Sequence, residues 1–135
     1  MIQQRKGNYD EASKLYNKSL EIKRKLGDEN GIANTLHQLA NIEHLTRNYD
    51  EAERLYGQSL EISRKLGDSL AIAKTLGSWG RLKEARGDLE LAQRLYQETL
   101  QIFEKIKAGH YVGEARKDLE RVQRMRNQSS TPVAI

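Results

Sequence analysis

Two histidines, His37 and His44, stand seven residues apart, a spacing that puts them two turns apart on one face of a helix. With Glu84 they are the closest this chain comes to a metal-ligating or general-base set. A zinc site needs three or four such ligands at about 2.1 Å, with further groups fixing the ring orientations. The remaining histidine, His110, falls at a helix start. There is no cysteine, hence no thiolate nucleophile, disulfide or cysteine-ligated zinc. A glycine-rich phosphate loop, an HExxH pair and a Ser–His–Asp set at informative spacing are also absent. The run GSWG, Gly77 to Gly80, looks like a nucleotide loop, but its register lies inside a helix. The expectation is a protein that is not an enzyme and uses no cofactor or metal.

The elements that position these residues are copies of one another. Tyr9, Tyr49 and Leu89 are 40 residues apart, as are Ala12, Ala52 and Ala92; Leu15, Leu55 and Leu95; Tyr16, Tyr56 and Tyr96; and Ile22, Ile62 and Ile102. A 40-residue unit repeats along the chain. Within it, Ala52, Leu55, Tyr56, Ser59, Ile62 and Leu66 fall at steps of three and four, the apolar face of a helix. Asn48 with Glu51, and Asn8 with Glu11, have capping-box spacing; Gly27 and Gly67 supply left-handed stops, and Asp28 and Asp68 can cap the helices that follow. The partner helix, GIANTLHQLANIEHLTR and again LAIAKTLGSWGRLKEAR, is joined by one or two residues and must pack antiparallel. The spacing predicts helices over about 8–27, 31–47, 48–67, 70–86, 88–107 and 111–126, forming one repeat domain over 1–126.

Each partner helix carries a polar arc opposite its apolar side. These arcs comprise Asn34, His37, Asn41 and His44; Lys74, Gly77, Arg81 and Glu84; and Glu114, Lys117, Arg121 and Arg124. Five basic groups against two acidic ones give +3. Asparagine pairs with a peptide backbone in both directions and arginine forks match carboxylates, so the arc suits an extended or helical, acidic protein segment. The bland reading is the solvated side of any amphipathic helix. Gly77 either clears space for a ligand backbone or is a tolerated defect costing about 1 kcal/mol relative to alanine.

Leu36, Leu39, Ala40, Ala52 and Tyr56, then Leu76, Trp79, Gly80, Ala92 and Tyr96, then Ala12 and Tyr16 give the chain a pattern that resembles the tetratricopeptide repeats. The 40-residue unit and the missing closing proline resemble the longer-helix variety of kinesin light chains and LGN-type adaptors. The resemblance implies an all-α, right-handed superhelical solenoid of antiparallel helix pairs, whose first helices line a concave groove that binds protein segments. Some members grip a pair of carboxylates with basic or amide side chains. His37, Ser78, Glu114 and Asp118 occupy those places here and argue against that ligand.

The ends depart from the pattern. MIQQRKGNYD aligns with NIEHLTRNYD, so the chain is expected to open late in a first helix. The helix after it then keeps an apolar face, Ala12, Leu15, Tyr16 and Ser19, available for self-association or for a preceding part of a longer array. The helix over 111–126 has Leu119 and Glu120 where a Leu-small pair would stand, which suits a cap with one wet face. Residues 127–135, with the only proline, read as a disordered tail.

The charge distribution limits the partners. The net charge is +4 over 135 residues, divided as +2 over 1–30, −1 over 31–100 and +3 over 101–135. No apolar run approaches the roughly 18 residues of a membrane span, and the first residues lack the basic-then-apolar pattern of a signal peptide; the expected setting is the cytoplasm, without membrane contact. RNA binding, favoured by the basic end with Arg121, Arg124 and Arg126, is disfavoured because Tyr49, Tyr56, Tyr96 and Trp79 fall at packing positions rather than interleaving the arc. A protein-interaction module is the leading expectation, with a self-associating array, a homo-oligomer, as its rival.

Overall fold

In the computed structural model, residues 2–130 are described, with side chains over 6–128. Six helices account for almost all of these residues: α1 (Ile2–Leu26), α2 (Glu29–Leu45), α3 (Tyr49–Leu66), α4 (Ser69–Ala85), α5 (Leu89–Lys105) and α6 (Gly109–Ser130). The protein is an all-α helical repeat. Two compact units divide it, residues 1–71 and residues 72–135.

Each connection turns on one left-handed residue: Gly27, Arg47, Gly67, Gly87 and Lys107, 20 residues apart. In all five, the next amide reaches back to a carbonyl five residues earlier, from Asp28 to Lys23 (3.0 Å) through Ala108 to Phe103 (2.9 Å). This is the Schellman closure, which satisfies carbonyls the helix leaves orphaned. Asp28, Asp68 and Asp88 accept from the amides of Gly31, Ala71 and Leu91 at 3.0, 3.1 and 3.2 Å, so each caps the helix it precedes. The 40-residue repeat is therefore two 20-residue half-units that share a turn.

Local chemistry departs from expectation in three places. Helix α1 runs unbroken from Ile2, so Asn8 lies in its interior and no helix break precedes it. Asn48 caps α3 without a side-chain bond; its amide donates to Thr46 Oγ1 at 3.3 Å, while Glu51 pairs with Arg54, whose Nε lies 3.0 Å away. The preceding Schellman turn already fixes the chain there, and the i,i+3 arginine offers the carboxylate a stronger partner than the cap amide. Helix α6 continues through Asn127–Ser130, where a tail was expected, because Asn-Gln-Ser-Ser contains no breaker; residues 131–135 lie outside the described residues.

In the first unit, Ala33, Leu36, Leu39 and Ala40 of α2 and Ala52, Leu55, Tyr56 and Leu60 of α3 form the core, with Ala40, Ala52 and Tyr56 fully enclosed. Ser59 Oγ donates to the Ala33 carbonyl at 2.7 Å, and Lys23 Nζ donates to Thr35 Oγ1 at 2.9 Å, tying α3 and α1 to α2. In the second unit, Phe103 stacks on Tyr111 at 4.9 Å among Ala73, Ala115 and Val112. A second cluster joins Ala92, Tyr96 and Val122 with Leu89 and Leu119. Helices α2, α3, α5 and α6 thus bury apolar residues against neighbouring helices within each unit, as an array of this kind requires.

Candidate functional site

The polar arc of α4 meets that of α6 in a charged network within the second unit. Arg121 donates from Nε to Glu84 Oε2 (2.9 Å) and from Nη2 to Glu84 Oε1 (2.7 Å), a bidentate pair. Its Nη1 lies 2.9 Å from Asp118 Oδ1. The other oxygen of Asp118 accepts from Arg81 Nη2 at 3.1 Å. Tyr96, wholly buried, donates its hydroxyl to Glu84 Oε1 at 2.8 Å. Two guanidinium groups and two carboxylates therefore neutralise one another on α4 and α6, with α5 supplying the phenol.

Exposure separates the two arginines. The carboxylates are nearly enclosed, at 17% for Glu84 and 12% for Asp118, whereas Arg121 is 40% and Arg81 52% exposed. Arg121 has three of its nitrogens engaged; Arg81 makes one hydrogen bond, to Asp118, and is the more exposed of the two. The Arg121 hydrogen bonds hold the Glu84 carboxyl below the ordinary carboxylate range, despite its burial, with Tyr96 acting in the same direction. Burial, followed by the bond to Glu84, pushes the Tyr96 phenol up. Arg121 is held protonated chiefly by its bonds to Glu84.

The remaining arc residues divide by unit. Lys117 and Arg124 are exposed, and Lys74, also exposed, lies 5.9 Å over the Tyr111 ring. A β-carbon at Gly77 would sit 3.4 Å from the Thr99 methyl, ordinary contact, so packing does not require glycine there. At Gly80 it would sit 2.7 Å from the Tyr96 ring, so that glycine is needed. In the first unit Asn34 is exposed, Asn41 accepts the Tyr56 hydroxyl, and His44 meets the Tyr49 ring edge-on at 5.9 Å. His37 is only 8% exposed and packs edge-on against Tyr56 at 5.8 Å; this leaves little of its ring for a ligand. Among the described residues no three His, Cys, Asp or Glu side chains gather as a metal site.

Asp118 and Tyr96 are the members that sequence reasoning passed over as part of this site. A signal for Asp118 was present: it lies 37 residues after Arg81, as Arg121 does after Glu84. The ties run on that diagonal, one repeat less three residues, and not along the 40-residue rows in which Arg81 aligns with Arg121. Along α1, Leu15 is 61% exposed while Ala12, Tyr16 and Ser19 are half-buried. The surface aromatics are few: Tyr56 and Tyr96 are fully enclosed, and Tyr49 and Trp79 are half-buried.

The sequence matches the tetratricopeptide repeat family over residues 1–65 and again over 31–105. Among solved structures, BtubC (BKLC) from P. vanneervenii superposes with a TM-score of 0.67 at 21% identity, over 96% of this chain and 61% of that one. The likeness at that identity is one of fold, and this chain spans about three fifths of that protein's length. No curated protein matches.

Proposed function

The chain belongs to the tetratricopeptide repeat family, and from that premise we propose that it is a protein-interaction module that holds an acidic, extended or helical segment on its first-helix faces and performs no chemistry of its own. The family is one of interaction and scaffold modules. The acidic character of the ligand rests on Arg81, whose guanidinium is oriented by the nearly enclosed Asp118 and still half exposed. A fork fixed from behind loses little rotamer freedom on meeting a carboxylate. Lys74, Lys117 and Arg124 are exposed and supply the surrounding positive potential. Arg121 serves this surface by positioning the two carboxylates, its own hydrogen bonds being committed. In the first unit Asn34, Asn41 and His44 furnish neutral pairing for a segment's backbone. Affinity of this kind is micromolar, about −8 kcal/mol.

No helix among the described residues is long and apolar enough to cross a membrane. The reading that the protein works in the cytoplasm accords with this and with the absence of cysteine. The test is fluorescence anisotropy with a labelled dodecapeptide of alternating Glu and Ala, alongside its Lys and Gln counterparts. Arg81→Gln should weaken binding of the Glu peptide about 10-fold at a temperature where circular dichroism shows the chain still folded. Equal binding of all three peptides, or no binding of any, would remove acidity from the reading. Steeply salt-dependent binding of a mixed oligonucleotide would favour RNA instead.

A further inference from the structure

Among the described residues, three of the four most exposed large apolar side chains lie on α1. Leu15, Ile22 and Leu26 are 61%, 55% and 76% exposed, although they share a helix with the buried Leu20. Leu20 and Lys23, which reaches Thr35, mark the flank of α1 that packs on α2. Leu15, Ile22 and Leu26 lie around the other flank by helical geometry. The same repeat positions in α3 are better covered: Leu55 is 7% exposed, and Leu66, the equivalent of Leu26, is 39% exposed. Asn8, Ala12, Leu15, Ser19, Ile22 and Leu26 succeed one another at steps of 4, 3, 4, 3 and 4, the spacing of a coiled-coil seam.

We propose that this seam is the interface of a homodimer in which two α1 helices pair antiparallel about a two-fold axis near Ser19. The seam is self-complementary under that operation. With Ser19 on the axis, the small Ala12 falls opposite Leu26 of the second copy, Leu15 falls beside Ile22 of the second copy, and the serines allow the backbones to approach. Its flank is complementary in charge as well. Glu11 of one copy comes within reach of Lys25 of the other, twice over by symmetry; both are exposed, and Lys25 would share its ammonium with Glu21 of its own helix, 3.6 Å away. Lys18, exposed on the same flank, faces its own counterpart and weakens the pair.

Head-to-tail stacking of α1 onto α6 does not fit. The helix face that receives a repeat tyrosine needs a small residue, Ala40 in α2 and Gly80 in α4, where even a β-carbon would lie 2.7 Å from Tyr96. In α6 the corresponding residue is Glu120, and Arg116 replaces Leu36 and Leu76; both are exposed. A charged, long side chain in that slot excludes a tyrosine-bearing helix.

The test is sedimentation of the full chain over a range of concentrations, joined to cysteine cross-linking, which the cysteine-free sequence makes clean. A monomer–dimer equilibrium in the micromolar range is expected, roughly 10–100 μM for so small a seam. Leu15→Glu with Ile22→Glu should weaken it more than about 100-fold while leaving the circular dichroism unchanged, both residues being exposed. Glu11→Lys should weaken it, Glu11→Lys with Lys25→Glu should restore it, and Lys18→Ala should tighten it. Ser19→Cys should form a symmetric disulfide under mild oxidation, whereas Glu61→Cys, exposed on α3, should not. A monomer at every concentration would overturn the proposal, and so would a dimer indifferent to the α1 changes. Cross-linking of Ser19→Cys only when mixed with Arg116→Cys would replace it with head-to-tail stacking.

Discussion

Tyr56 and Tyr96 occupy one repeat position in two units, and both are fully buried, yet their hydroxyls end in different chemistry. In the first unit the phenol donates to the amide of Asn41, over Ala40, and Ser59 fastens α3 to the backbone of α2. In the second the phenol donates to Glu84, over Gly80, and Thr99 turns back to the carbonyl of Leu95 in its own helix at 2.8 Å. The neutral fastening between helices gives way to ion pairs that run on to α6. The apolar frame of the repeat is copied, while the polar ends of the same side chains are free to vary. The charges on α4 and α6 hold helices together before they meet any ligand.

Removing Arg121 breaks this comparison most forcefully. Arg121→Met leaves the nearly enclosed Glu84 with only the Tyr96 hydroxyl, and Asp118 with only Arg81, and should cost about 2–3 kcal/mol, the buried-pair range discounted for the half-exposed arginine. Asn41→Ala, its neutral counterpart, should cost about 1 kcal/mol. Urea denaturation gives the totals, and hydrogen exchange in α6 against α2 assigns each loss to its unit. Acid sharpens the contrast. Glu84 has a folded pKa below its unfolded value of about 4.3, so its contribution is complete above that value and fades as pH falls through the folded one. Protection in α6 should therefore decline below about pH 4, and Glu84→Gln should flatten the decline. An equal acid loss in α2 would show that the network is not its source.

The two glycines of α4 should respond with opposite sign. Gly80→Ala forces a β-carbon into the Tyr96 ring and should destabilise by about 1–3 kcal/mol. Gly77→Ala meets only the Thr99 methyl at contact distance and should stabilise by up to about 1 kcal/mol. Thermal melts decide both. If Gly77→Ala raises the melting temperature and also weakens the Glu-rich peptide, the glycine keeps space for a ligand; if only stability changes, it is a tolerated defect.

The fold was legible because periodicity is an apolar signal, and Ala52, Tyr56, Ala92 and Tyr96 are core residues wherever the helix pairs. The polar site was legible only in outline. Arg81, Glu84 and Arg121 were placed on one arc, but their mutual neutralisation depends on which side chains reach across the 37-residue diagonal, and rows 40 apart do not reveal that. His37 was read as a groove residue from its position on α2, and that arc faces solvent at Asn34; His37 itself is buried, with the Tyr56 ring edge-on beside it. Asn48 failed as a side-chain cap because a left-handed turn and Arg54 compete for the same groups, and capping-box spacing alone cannot rank the competitors.

The smallest effect tests whether the units share their turns as closely as their cores. Gly27, Gly67 and Gly87 sit at positive φ without cost, but Arg47 (φ 67°) and Lys107 (φ 58°) adopt the same conformation with a β-carbon. That strain is worth about 1–2 kcal/mol, partly offset because glycine loses more backbone freedom on folding. Arg47→Gly and Lys107→Gly should each stabilise by about 0.5–1 kcal/mol, and by similar amounts, since the Schellman bonds around them are alike at 2.8 Å from Asn48 to Glu43 and 2.9 Å from Ala108 to Phe103. Differential scanning calorimetry of the two variants and their combination gives the comparison. Equal, additive gains make each turn a local unit. A smaller gain at Lys107 would mean that the packing of α5 on α6 already fixes that turn, and the second unit would then differ from the first in its backbone as well as in its charges.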